Sequence, residues 1–261
     1  MEKIESTKNA KVKLLMELQT KSAERRKRGL FVVEGRRELE HCLEAGFELD
    51  TVFLCPKLCG DLELPQGCRV VEVTEQVYAH IAYRGTTEGV MAEVRVRERR
   101  LDSLEKIPGT PLYVVLESVE KPGNLGAVLR SADAAGATAV IVCDPLTDLY
   151  NPNLIRSSIG AVFSVPIVAC DSTDCIAFLK KNNIKVLTAQ LQDSKPYYDT
   201  DMTGPIAIVM GTEATGLTDL WRVAADSHIR IPMLGRLDSL NVSVSAAILM
   251  YEAVRQRQTL S

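Results

Sequence analysis

From residue 112 to the C-terminus, short apolar runs rich in β-branched residues alternate with helix-length segments, and that alternation admits few folds. The apolar runs fall at 112–116, 139–143, 165–168, 186–189, 206–210 and 228–231. Between them lie helical stretches at 125–135, 154–162, 174–181 behind an Asp171-Ser172 cap, and 217–223, with a long one at 242–257 closing the chain. Runs this apolar are buried on both faces, which implies a parallel sheet with helices on either side. Such sheets bind ligands at the carboxyl ends of their strands, so chemistry is expected in the loops after Leu116, Met210 and Ile231.

The N-terminal part has a different texture. A helical stripe at 10–18 ends in the charged run RRKRG, followed by a strand at 30–33, a helix at 39–43 and strands at 51–54, 69–73 and 90–94. The expectation is a smaller α/β domain over 1–95, a linker over 96–111 (VRERRLDSLEKIPGTP) and an α/β domain over 112–261.

The formal net charge of −3 conceals an asymmetry, since residues 1–30 carry nine Lys or Arg against four Glu. A basic arm on an acidic body suits phosphate contacts, while the competing reading is the wet face of an amphipathic helix. No apolar run reaches membrane-span length and the N-terminus lacks a signal core, so a cytoplasmic protein without membrane attachment is expected. The seven cysteines are irregularly spaced, which argues for reduced thiols. Cys55, Cys59 and Cys68 lack a C-x-x-C pair or a suitably spaced histidine, so no metal is expected.

Three loops carry the polar residues. In ESVEKPGNLGAVLR, Asn124 stands where an N-cap would, with Arg130 within two turns. In MGTEATGL, Gly211 and Gly216 permit tight geometry around Glu213, yet no dinucleotide fingerprint or P-loop is present, which disfavours an oxidoreductase. The stretch IPMLGRLDSLNVSVSA places Ser239, Asn241, Ser243 and Ser245 directly before the terminal helix. Capping explains each residue singly but not the convergence of three polar loops at strand ends of one sheet.

The segments NLGAVLRSADAAGA, IVMGTEATGL and IPMLGRLDSLNVSVSAAILMYEAVRQR resemble, in order, the three signature motifs of the SpoU (TrmH-type) RNA 2′-O-ribose methyltransferases of the SPOUT superfamily. Ser6 and Asn9, Phe31 to Gly35 (FVVEG) and Thr86 to Glu93 (TTEGVMAE) resemble the family's substrate-binding domain, similar to ribosomal protein L30e. The resemblance implies a deep trefoil knot in the C-terminal domain, a homodimer, and S-adenosylmethionine held largely by backbone groups. By motif position these belong to Gly211, Ile231 and Leu240, with Met210, Met233 and the turn after Ala189 nearby. It further implies RNA as substrate, ribosomal ahead of transfer RNA, with Asn124, Arg130, Glu213, Ser239 and Asn241 as the catalytic set.

A methyl sulfonium is already electrophilic, so the protein must align donor and ribose oxygen and assist loss of the hydroxyl proton. The family pattern puts Arg130 beside the ribose and phosphate. Arginine holds its proton too tightly for an ordinary base, so Arg130 as alkoxide clamp and Glu213 as base remain alternatives. Arg156 in NPNLIRSSIGA matches a family arginine implied to touch RNA, and Arg25, Arg26 and Arg36 extend the expected phosphate track. Two readings compete with ribose methylation: a knotted enzyme acting on a base nitrogen, and a catalytically silent RNA-binding or assembly protein of the same fold.

Overall fold

The polypeptide forms two units that do not divide the sequence at a single point. The structure, a computed structural model, describes residues 2–83, 88–212 and 215–259. One unit comprises Met1–Arg97 together with Tyr150–Ser164, and the other Glu98–Leu149 with Val165–Ser261.

The first unit runs β1 (Glu2–Ile4), α1 (Ala10–Thr20), α2 (Ser22–Arg28), β2 (Leu30–Glu34), α3 (Arg36–Glu44) and β3 (Leu49–Leu54), then α4 (Pro56–Cys59), β4 (Arg69–Val73), α5 (Glu75–Ile81) and β5 (Val90–Arg95). Its sheet has the order β1-β4-β3-β5-β2, with β5 antiparallel to both neighbours and the other pairs parallel. Asn9 caps α1 by accepting from the Lys11 amide at 2.8 Å, so the Ser6/Asn9 motif is a helix-starting turn. The α1 stripe Val12, Leu15 and Leu18 is fully buried with Val32, Phe53, Val71, Tyr78 and Met91. Each such side chain contributes about 1.5–3 kcal/mol.

The RRKRG run does not simply end α1, because it builds α2, which stops at Gly29 in the left-handed region (φ 61°). The cause is Arg25. Its buried guanidinium donates to the carbonyls of Leu18 at 2.5 Å and Gln19 at 3.3 Å, satisfying acceptors that the end of α1 leaves open. Gly89, at φ 73°, lies so close to the Leu58 and Cys59 backbone that a Cβ would collide with it.

The second unit contains β6 (Leu112–Glu117), α6 (Pro122–Ala134) and β7 (Ala139–Cys143). The chain then contributes α7 (Pro152–Ser158) and α8 (Ala161–Ser164) to the first unit before resuming here. There follow β8 (Ile167–Cys170), α9 (Ser172–Lys181), β9 (Lys185–Ala189), β10 (Lys195–Pro196), β11 (Ile206–Met210), α10 (Asp219–Ala224), β12 (Ser227–Arg230) and α11 (Val242–Gln258). The sheet order is β10-β12-β9-β11-β6-β7-β8 and every pair is parallel, as the alternating apolar runs require.

Two departures from the sequence expectation have plain causes. The helix expected at 154–162 breaks because Ile159 turns left-handed (φ 54°), and Phe163 and Tyr150 then stack on Phe31 in the first unit's aromatic cluster. Residues 96–111 are not a bare linker either. Leu101–Lys106 forms a 3₁₀ turn whose Leu104 is buried in the second unit's core, anchored outside by Glu105 to Lys181 at 3.0 Å. Leu101 and Ile107, three residues to either side, pack partly buried against the same core, and a three-residue spacing this short among charges reads as neither an α-helical stripe nor a strand.

Candidate active site

Strands β12, β9, β11 and β6 are neighbours, and their register puts their carboxyl ends on one edge. Ile229 pairs with Ala189, Val209 with Thr188, and Met210 with Leu116. Ala189, Met210, Gly211 and Ile231 therefore leave the sheet together, as expected for a ligand site in a parallel sheet. Met210 is buried, and Ala189, Gly211, Ile231 and Met233 are half-buried.

Gly211 is needed for steric reasons. A Cβ there would fall inside van der Waals contact with the backbone of Gly216 and Leu217. The loop closes on itself where Thr212 and Gly216 exchange backbone hydrogen bonds of 3.3 and 3.1 Å, and the Thr212 and Thr215 hydroxyls meet at 2.8 Å. Glu213, expected in the catalytic set, lies outside the described residues.

Glu117 anchors this loop from below, a role sequence reasoning missed. Its carboxylate is buried, accepting from the Thr218 amide at 2.9 Å and the Thr218 hydroxyl at 2.6 Å. The signal was an acidic residue ending the otherwise apolar LYVVLE.

Asn124 is not an N-cap. Lys121 caps α6, and Asn124 is the third helical residue, its Oδ1 accepting from Nδ2 of Asn241 at 3.2 Å. Asn241 is the true cap of α11. Its Oδ1 accepts from the Ser243 amide at 3.0 Å and the Ser243 hydroxyl at 2.6 Å. With that oxygen committed to the helix start, the amide nitrogen is the end that faces Asn124.

Between β12 and α11, residues 232–240 make no hydrogen bond among the described residues. Their backbone donors and acceptors, Leu240 included, are open in the segment that leaves β12, and this fits a ligand recognised through main-chain groups. Ser239 is exposed in the same segment. Arg130 is exposed on α6, and its side chain makes no hydrogen bond or ion pair among the described residues. Six residues beyond Asn124, it stands about 9 Å along the helix and on another face, so the described residues do not join it to the asparagine pair.

The arginines expected to contact RNA divide. Arg25 is withdrawn from that role, because burial leaves its guanidinium bound to backbone carbonyls. Arg36 is half-buried and donates to the Cys59 carbonyl. Arg26 and Arg156 are exposed, and the Arg156 guanidinium lies 5.6 Å from the centre of the Tyr83 ring, itself 47% exposed. Tyr83 was not anticipated. Its hydroxyl meets Asn153 Oδ1 at 3.3 Å, and it borders a cleft with Gln19, Arg37 and Glu38. In the TTEGVMAE motif, Thr86 and Thr87 lie outside the described residues.

Comparison with known proteins matches this geometry to a family. Residues 111–251 match the SpoU rRNA Methylase family and residues 9–92 the MRM3-like substrate binding domain. The chain is 30% identical over 251 residues to the 23S rRNA (guanosine(2553)-2'-O)-methyltransferase RlmP of Bacillus subtilis (strain 168), covering 96% of this chain and 98% of that protein. A solved RNA 2'-O ribose methyltransferase is 40% identical with TM-score 0.82, covering 98% of this chain and 99% of its own. An AdoMet-bound rRNA methyltransferase from Sinorhizobium meliloti is 30% identical with TM-score 0.87, covering 97% of each chain. The polar loops at the ends of β6, β11 and β12 all lie within the matched residues 111–251, and the chain belongs to the SpoU rRNA methylase family.

Proposed function

We propose that the protein transfers a methyl group from S-adenosylmethionine to a ribose 2′-hydroxyl of ribosomal RNA. The observation that carries this reading is the edge formed by Ala189, Gly211 and Ile231 beside the open backbone of 232–240, with the Asn124–Asn241 pair at its side. The relative matched over nearly its full length, named for 2'-O-methylation of 23S rRNA, supports ribose over base and ribosomal over transfer RNA. When bound, S-adenosylmethionine supplies an electrophilic methyl group.

The chain's own residues do the rest. Main-chain groups of Gly211, Ile231 and Leu240 hold the cofactor, with Met210, Met233 and the Ala189 turn lining its surroundings. Asn124 and Asn241 fix the start of α11 against α6, and Ser239 lies two residues from that anchor. Arg130 clamps the substrate phosphate and stabilises the developing alkoxide, with Glu213 as alternative proton acceptor. Arg26, Arg36 and Arg156 extend the phosphate contacts.

The same reading includes a trefoil knot around the C-terminal segment, in a cytoplasmic homodimer. Exposed Val244 and Tyr251, seven residues apart on one face of α11, with exposed Leu234, Leu237 and Leu240 in the segment before it, support burial by a second copy. Mapping 2′-O-methyl positions in ribosomal RNA from cells with and without the gene tests the function. One alkali-resistant linkage should vanish without it; a lost base methylation, or no lost methylation, would overturn the reading.

A further inference from the structure

Cys143, Cys170 and Cys175 come from three elements of the second unit and converge on one point. Cys143 ends β7 and Cys170 ends β8, and the two are register partners. Cys175 lies in the first turns of α9, its amide donating to the Asp171 carbonyl at 3.1 Å. The three sulfur atoms all lie within 4.8 Å of one another. Cys143 and Cys175 are fully buried, whereas Cys170 is half-buried and opens the group to solvent.

The arrangement satisfies what a thiolate metal site requires. Four residues separate Cys170 from Cys175, within the usual interval for paired cysteine ligands. Two thiolates on one tetrahedral zinc ion, each about 2.3 Å from it, stand about 3.8 Å apart. The sulfurs therefore need to close by no more than about 1 Å, which side-chain rotation supplies. Strand pairing fixes the first two backbones, and the Asp144 amide bonded to the Cys170 carbonyl at 2.9 Å ties them together. The cysteines weighed from sequence, Cys55, Cys59 and Cys68, form no such group among the described residues.

We propose that Cys143, Cys170 and Cys175 form a three-thiolate site for one soft divalent cation of the zinc class, its fourth position facing solvent beside Cys170. Charge selects a dication over a monovalent soft ion. Three thiolates leave one net negative charge with the former and two with the latter, in a core containing Val168, Ile141 and Ile176. Binding displaces three thiol protons to buffer and changes no oxidation state. The ion would pin β7, β8 and α9 beside the chain of hydrogen bonds from Trp221 Nε1 to Ser172 Oγ (3.0 Å) and from Ser172 to Asp144 Oδ2 (2.6 Å).

Cobalt(II) is the probe. The full-length chain, reduced and stripped with a chelator, is titrated with cobalt under anaerobic conditions. One equivalent should bind with a sulfur-to-cobalt charge-transfer band in the near ultraviolet, and zinc should displace it. Cys170→Ser, checked for native circular dichroism, should lose the band, and a variant with Cys55→Ser, Cys59→Ser and Cys68→Ser should keep it. Absence of the band in the native chain, or its survival in Cys170→Ser, overturns the site. So does a disulfide among the three in protein purified without reductant when the reduced chain takes up no cobalt.

Discussion

Asn241 Nδ2 donates to Asn124 Oδ1 at 3.2 Å, joining residues 117 positions apart. One side chain thereby starts α11 and locks that start against α6, so the polar loops are coupled and not merely adjacent. Asn241→Ala should lose the cap, about 1 kcal/mol of stability, and methyl transfer on the order of 10²-fold through misplacement of the loop. Asn124→Ala should lose transfer without the capping loss. In a double-mutant cycle on transfer rate the two should fail to add; additive effects would show that the bond does not act in the reaction.

Gly211→Ala introduces a Cβ where the Gly216 and Leu217 backbone already lies. Those atoms are main chain and cannot rotate away, so the turn must open. S-adenosylmethionine affinity, read by calorimetry, should fall at least tenfold, equivalent to about 1.4 kcal/mol, with the stability of the first unit's β2–β5 pairing unchanged. Unaltered affinity would remove the Gly211 turn from the cofactor site.

Arg130 and Glu213 are separated by their pH–rate profiles. If Glu213 is the base, Glu213→Gln should abolish the acid limb of the profile, while Arg130→Lys lowers the rate and keeps that limb. If Arg130 accepts the proton, the limb should move with Arg130→Lys instead. Full activity in Arg130→Lys would take that residue out of the mechanism altogether.

Arg257 near the C-terminus gathers four carbonyls: Met202 at 3.2 Å, Thr110 at 3.0 Å, Pro111 at 2.9 Å and Gly204 at 2.7 Å. It fastens the end of α11 to the segments before β6 and β11. Arg257→Met should destabilise the second unit by about 1.5–3 kcal/mol, because four carbonyls, of residues ranging from buried Met202 to exposed Thr110, lose a charged donor at once. Amide exchange in β6 and β11 should accelerate accordingly, and protection equal to the native chain would contradict the clamp.

Most of the second unit was legible because burial on both faces writes a parallel strand as a continuous apolar run. The terminal helix was visible for a similar reason, and its cap, Asn241, stood at its start. What escaped depends on partners distant in sequence. Asn124 reads as a cap until Asn241 is placed opposite it, and Arg25 reads as an RNA contact until the Leu18 carbonyl is found against its guanidinium. Tyr83 gives no local pattern, and the acidic end of LYVVLE marks Glu117 without naming its partner, since their meaning lies in Arg156 and Thr218. The cysteine triad illustrates the same limit: Cys143 is remote from Cys170 and Cys175 in the chain, and only the β7–β8 register joins them.

Glu93 makes the first unit's stability depend on pH. It lies in β5, 4% exposed, and its Oε1 has no hydrogen-bond partner. Burial, reinforced by nearby Asp50 and opposed by the weaker pull of Arg28, Lys11 and Arg69, pushes its carboxyl up from 4.5 to about 7. A folded-state value above the unfolded one means that stability is fully present below pH 4.5 and is lost as pH rises through 7. The loss is at most about 3.5 kcal/mol, since a tenfold change in proton affinity corresponds to about 1.4 kcal/mol. Glu93→Gln cannot ionise, so it should match the native chain near pH 4 and exceed it at pH 8. Hydrogen exchange of the β3 and β5 amides across that range reads the difference locally, without requiring both units to unfold together. Equal pH slopes in the two proteins would show that Glu93 finds a partner or solvent that keeps its ordinary titration.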